Sequence, residues 1–168
     1  MLSHQRLNMN TPVLTIAERS NIDAGSWFSR LSPELRQAIL SRSAVRRLDD
    51  GAMMSARGAP ADEWCGVAKG AVRVSSVSLS GKQVTLTYVE PGTWFGDISL
   101  FDGLPRTHDS NAHGETTLLV VRKADFKELL AQHTELYEAL LRLNCRRLRL
   151  MFDAGADLNT RPCMNSMM

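Results

Sequence analysis

The spacing of apolar residues changes character three times along the chain. Residues 1–20 are polar and show no clear period, which predicts a loose N-terminal arm. A helix follows. Ser32 suits its N-cap, Pro33 its first position and Glu34 its first turn, while Leu31, Leu35, Ile39 and Leu40 form a stripe ending near Ser43. From Ala44 to Arg122 the period shortens. β-rich runs at Val45–Leu48, Trp64–Ala68, Ala71–Val77, Val84–Val89 and Thr117–Val121 alternate with turn signals. Those signals are Asp50-Gly51, Arg57-Gly58, Lys69-Gly70, Ser80-Gly81, Pro91-Gly92 and Asp102-Gly103. This spacing predicts a small antiparallel sandwich or barrel, not βαβ units, with a hairpin at Ser80-Gly81.

Helical spacing returns after Lys123, with a short helix over Ala124–Gln132 and a longer one from Thr134 to about Asp157. On the longer one, Tyr137, Leu141, Asn144, Leu148, Met151 and Gly155 are spaced as a heptad seam. Leu136, Leu140, Leu143, Arg147, Leu150 and Ala154 make a second stripe, and Arg142, Arg146 and Arg149 a third, solvated one. Two mostly apolar stripes call for two partners: the chain's own barrel, and a second copy packed on Tyr137, Leu141, Asn144, Leu148 and Met151. Asn144, mid-seam, is placed to fix register. The simpler alternative buries both stripes in one core.

Composition narrows the class. A formal charge of +2 does not mark a nucleic-acid binder by bulk electrostatics. Cys65, Cys145 and Cys163 are odd in number and form no CxxC pair, which fits a reduced compartment better than a disulfide, zinc or iron–sulfur scaffold. No stretch is long and apolar enough to span a membrane, and no apolar segment follows the early charges as in a secretory signal. A cytoplasmic protein is expected.

The chemistry concentrates in Trp94–Ala112, WFGDISLFDGLPRTHDSNA. Asp97 can begin a helical turn with free amides, and Arg106-Thr107 lies across a Gly–Pro-bearing loop. Free amides, an Arg fork and a hydroxyl together describe a phosphate cradle, and a carboxylate at Asp97 suits a ribose hydroxyl. The competing reading gives Gly96 only a turn and Arg106 only a surface position.

The run Phe95-Gly96-Asp97-Ile98-Ser99-Leu100-Phe101, with Pro105-Arg106-Thr107 and Ala112, resembles the phosphate-binding cassette of cyclic-nucleotide-binding domains. The likeness spans about residues 25–160, and the helix at Leu143–Met151 (LNCRRLRLM) is most similar to the dimerising helix of bacterial Crp–Fnr transcription regulators. The resemblance implies an α+β fold. Its centre is a small antiparallel β-barrel of double-stranded β-helix, or jelly-roll, type. N-terminal helices and a long C-terminal dimerisation helix flank it. The implied layout is an arm over 1–20, the barrel domain over 21–133, the dimer helix over 134–158 and a tail over 159–168.

It also implies a non-enzymatic homodimer that binds a cyclic-AMP-like nucleotide without metal. Arg106 and Thr107 would hold the cyclic phosphate. Gly96 would admit the sugar, Asp97 would accept its 2′-hydroxyl, and Ile98 and Ser99 would offer backbone amides. Met151 and Phe152 stand where hydroxyls face the base in the family's cyclic-AMP sensor; they can stack on a base but cannot read its edge. Asp97 replaces a longer Glu, and His108-Asp109 replaces a small apolar pair, bringing a negative charge near the phosphate.

Regulators of this kind continue into a winged helix-turn-helix, and DNA enters as a partner only with that domain. The final residues, from Asn159 to Met168, are too few to make one, which predicts a truncated or frameshifted gene or a sensor domain alone. The alternatives are a ligand-free dimerisation module, a truncated non-functional regulator, and a cupin-type metalloenzyme using His108, His113 and Glu115. That last set contains no HxH pair. THDSNAH lacks the glycines of a nucleophile elbow, and no Walker or Rossmann glycine loop occurs.

Overall fold

The fold is built around two long strands, β3 (Glu63–Val77) and β6 (Asp109–Arg122), which pair antiparallel from Glu63↔Arg122 to Ser75↔Asp109. The computed structural model describes residues 13–159; the first part of the expected arm and the tail from residue 160 lie outside the described residues. β1 (Ala44–Leu48) adds to β6 and β4 (Gln83–Val89) to β3, giving the order β1-β6-β3-β4. The short β2 (Met53–Ser55) pairs with β6, and β5 (Trp94–Phe95) pairs with β3. This antiparallel sheet with flanking helices is the α+β jelly-roll architecture expected.

Alternation along the central strands feeds two cores, because successive side chains point to opposite faces. Trp64, Ala68, Leu119 and Val121 face the helices, where they meet Phe28, Trp94, Phe126, Leu136 and Leu140. Cys65, Val67, Val72, Leu118 and Val120 form the barrel interior. Burial pushes the Cys65 thiol up to about 12, so it packs as a small apolar group.

Two sequence readings are corrected here. Lys69-Gly70 does not separate two strands: it is an irregularity inside β3, where Gly70 takes φ +74° and pairing with β6 resumes at Ala71. Residues from Ile16 onward do not belong to a loose arm. They form helix α1 (Ile16–Ala24), closed by a capping box in which Thr15 Oγ1 accepts from the Glu18 amide and Glu18 accepts from the Thr15 amide. Helix α2 (Pro33–Ser41) starts as expected, with Ser32 Oγ accepting from Leu35 N at 3.2 Å. The Ser80-Gly81 hairpin is also present, closed by Ser78 N donating to Lys82 O at 2.8 Å.

After β5 comes the short α3 (Asp97–Asp102), and after β6 come α4 (Lys123–Gln132) and the 26-residue α5 (Thr134–Asn159). Leu136 and Leu140 are fully buried, and Leu143, Asn144 and Arg147 are half-buried. This face of α5 packs on its own barrel. Tyr137, Leu141, Leu148 and Met151 remain exposed. Trp27 ties α5 down by donating from Nε1 to Ala139 O at 3.0 Å.

Candidate ligand pocket beneath the long helix

The cassette folds as a turn, a single short helix and a loop, and each part has a local cause. Gly96 adopts φ +93°, a conformation that side chains with a Cβ rarely take. A Cβ there would also stand 3.1 Å from Arg106 Nη1 and from Glu63 O. The bend that Gly96 permits turns the chain from β5 into α3 and brings its carbonyl to Arg106.

Arg106 is held by two backbone carbonyls. Nη1 donates to Gly96 O at 3.0 Å and Nη2 to Glu63 O at 2.6 Å. Glu63 is itself fixed by Arg46 of β1, whose Nη1 and Nη2 donate to its two carboxylate oxygens at 2.8 and 2.6 Å. Those hydrogen bonds hold the Glu63 carboxyl below the usual carboxylate range. The arginine expected to carry phosphate is thus aimed by a strand end that a bidentate ion pair pins.

Arg106 forms part of the wall of a cavity of about 580 Å³, a size suited to a small organic ligand. Phe95, Gly96, Asp97, Ile98 and Ser99 line one side, and Thr107 and His108 stand beside Arg106. Val74, Thr87, Tyr88, Val89, Glu90 and Thr93 line the side formed by β3, β4 and the turn beyond, and Arg147, Leu150 and Met151 of α5 also contribute. Seven of the eight residues singled out for ligand binding therefore converge: Gly96, Asp97, Ile98, Ser99, Arg106, Thr107 and Met151. Phe152 does not. It is 71% exposed and absent from the cavity wall, because one residue further along a helix turns the side chain by about 100°.

Asp97 is fully buried at the cavity wall. Its Oδ2 accepts from Asn144 Nδ2 at 2.7 Å and its Oδ1 from Arg147 Nη1 at 3.2 Å. Arg147 Nη2 also donates to Trp94 O at 2.6 Å. Asn144, expected mid-seam, is engaged within its own chain. Its amide turns inward to Asp97 and to Leu140 O, not outward along a seam, because a buried carboxylate needs donors. Arg147 is a cavity-wall residue that sequence reasoning missed, as is the link from Asn144 to Asp97. The trace of Arg147 was a lone cation inside an otherwise apolar, barrel-facing stripe.

Asp109 is also corrected. Its Oδ1 accepts from the Arg57 amide at 2.8 Å, and it is not part of the cavity wall. The three residues of the cupin reading have separate neighbours: His108 contacts Thr107, His113 packs on Tyr88, and Glu115 lies 3.6 Å from Lys69. Among the described residues no group of three or more His, Cys, Asp or Glu side chains could hold a metal ion. Nor is any described helix long and apolar enough to cross a membrane.

Comparison with known proteins points the same way as this geometry. Residues 45–133 match the cyclic nucleotide-binding domain family. The chain is 31% identical over 131 residues to the CRP-like cAMP-activated global transcriptional regulator of Mycobacterium tuberculosis, covering 78% of this chain and 58% of that protein. The chain thus spans little more than half of this relative. Among solved structures it is similar to the N-terminal domain of a Streptomyces coelicolor A3(2) transcriptional regulator (30% identity, TM-score 0.66, 80% of this chain and 94% of that one). It is also similar to the Thermus thermophilus catabolite activator protein (30% identity, TM-score 0.71, 80% and 62%).

Proposed function

This chain belongs to the cyclic nucleotide-binding domain family, and from that premise we propose that it is a non-enzymatic sensor unit that seats a cyclic nucleotide between its cassette and α5. The observation that carries the proposal is convergence: Gly96, Asp97, Arg106 and Thr107 of the cassette and Arg147 and Met151 of α5 line one cavity.

In this reading Arg106 and Thr107 hold the cyclic phosphate. A guanidinium already anchored on two carbonyls presents its remaining N–H groups without much further ordering. Backbone amides at Ile98 and Ser99 add donors to the same anion. Asp97, bridged to Asn144 and Arg147, meets the ribose hydroxyl, and Met151 stacks on the base. Ligand contacts made to both cassette and α5 bias the position of that helix, so binding is coupled to how α5 packs against a second copy. Tyr137, Leu141, Leu148 and Met151 supply that dimer face. Output onto DNA requires a DNA-binding head attached beyond α5, as proposed for a Crp–Fnr-type regulator of the cytoplasm.

The test is calorimetry with cyclic AMP and cyclic GMP, with a thermal-shift series over cyclic mono- and dinucleotides. Saturable binding to the wild-type chain supports the proposal. No binding by any of them overturns it.

A second reading has its own support. Two charged groups of the site already have partners within the protein, Arg106 donating to two carbonyls and Asp97 accepting from Asn144 and Arg147. That suits a dimerisation module that needs no ligand. Dimers in sedimentation equilibrium together with no nucleotide binding favour it.

A further inference from the structure

His108 is a further member of the cavity wall. It is half-buried, lines the wall beside Arg106 and Thr107, and its Nδ1 lies 2.8 Å from Thr107 Oγ1. Thr107 has a single hydroxyl proton, which can go to the imidazole or to an anion, not both. A neutral imidazole with Nδ1 unprotonated accepts that proton and removes the donor from the cradle. An imidazolium cannot accept. It donates from Nδ1 to Thr107 Oγ1, which frees the threonine O–H for a phosphate oxygen and adds a positive charge beside Arg106.

The neighbouring acid does not cancel this charge within the cavity, because the Asp109 carboxylate turns to the Arg57 amide. The other titratable or charged groups in the wall are Tyr88 and Glu90 from the β4 side, Asp97 of α3, Arg106, and Arg147 of α5. Asp97 is paired with Arg147, and both arginines stay charged at every relevant pH. That leaves His108 and Glu90 as the groups able to respond to acid.

Resting on the nucleotide reading above, we infer that His108 is a positioning residue that makes the phosphate cradle proton-linked: acid turns the Thr107 hydroxyl toward the anion and tightens binding. A cyclic phosphodiester keeps one negative charge at acid and neutral pH, so the dependence comes from the protein.

The experiment is calorimetry with cyclic AMP at pH 5.5, 6.5 and 7.5 on the wild type, His108→Ala, His108→Gln and Glu90→Gln. Glutamine keeps a group that can hydrogen-bond Thr107 but does not titrate. Wild type and Glu90→Gln are expected to bind about fivefold to tenfold more tightly at pH 5.5 than at 7.5, the gain from one added charge-assisted contact. Both His108 variants are expected to stay flat within about twofold, with thermal melting confirming that they fold. A pH slope retained in the His108 variants, or absent from the wild type, overturns the inference while leaving the nucleotide reading intact. If cyclic AMP binds none of the proteins at any pH, the nucleotide reading falls and this inference falls with it.

Discussion

Asp97 and Arg147, fifty residues apart, form an ion pair in which the carboxylate is fully buried and the guanidinium 30% exposed. It joins the start of α3 to the middle of α5. The asymmetry of exposure makes the two partners unequal. Removing Arg147 leaves a buried carboxylate with only Asn144 as a side-chain donor, and a buried charge stripped of its partner costs about 3–5 kcal/mol. Removing Asp97 leaves an arginine that still reaches water and still donates to Trp94 O. Arg147→Ala is therefore expected to destabilise by about 3 kcal/mol and Asp97→Ala by about 1–2 kcal/mol. Urea unfolding midpoints check the order; equal losses would show that burial of Asp97 does not govern the pair.

That pair also shows where the sequence was readable and where it was not. Strand positions followed from β-rich runs between turn signals, and the roles read for Arg106, Gly96 and Thr107 came from the resemblance of Phe95–Ala112 to the phosphate-binding cassette. The inward turn of Asn144 did not follow, since heptad spacing places it with Tyr137 and Leu148. A heptad records only which residues share a stripe, and whether a polar member is claimed by its own domain depends on a partner distant in sequence. Helix α1 was missed because its apolar content is low, although Thr15-Ile16-Ala17-Glu18 carries a capping box that could have revealed it. Lys69-Gly70 misled because a glycine at positive φ marks a bulge as readily as a turn.

Arg106 gives the sharpest ligand prediction. Arg106→Ala is expected to weaken cyclic nucleotide binding roughly 10- to 100-fold, the loss of a charge-assisted contact of about 1.5–3 kcal/mol. Arg106→Lys keeps the charge but cannot bridge Gly96 O, Glu63 O and a phosphate at once, so it should recover only part of that loss. Calorimetry of the three proteins decides it. An unchanged affinity in Arg106→Ala would remove the arginine from the phosphate site.

Glu63 links that site to acid stability. Its folded-state carboxyl sits below the usual range because of the hydrogen bonds from Arg46. A lowered value means the stabilisation is fully present above the ordinary glutamate range, near pH 4.3, and is lost as pH falls through the folded value. The pair is partly solvated, with Arg46 41% exposed, so its contribution is about 1 kcal/mol or less. Glu63→Gln is expected to melt below the wild type at pH 7, and the gap should narrow as pH falls through the lowered folded value. A gap that acid does not narrow would place the effect in packing and not in the ion pair.

The exposed stripe on α5 and the inward turn of Asn144 together make a two-part prediction about assembly. Leu141 and Leu148 are 65% and 51% exposed, on a helix whose opposite face already covers the barrel. Contiguous apolar side chains left in water at heptad spacing favour burial against a partner helix. Leu148→Glu places a charge in that seam and is expected to shift the protein toward monomers at micromolar concentration. Asn144→Ala should leave the dimer intact, because its amide serves Asp97 and Leu140 O within one chain. It should instead lower the melting temperature by stripping a donor from a buried carboxylate. Sedimentation equilibrium on both variants, paired with thermal melting, separates the two roles. Dissociation by Asn144→Ala without loss of fold stability would return that residue to the seam, and an unchanged wild-type association in Leu148→Glu would move the dimer contact off α5.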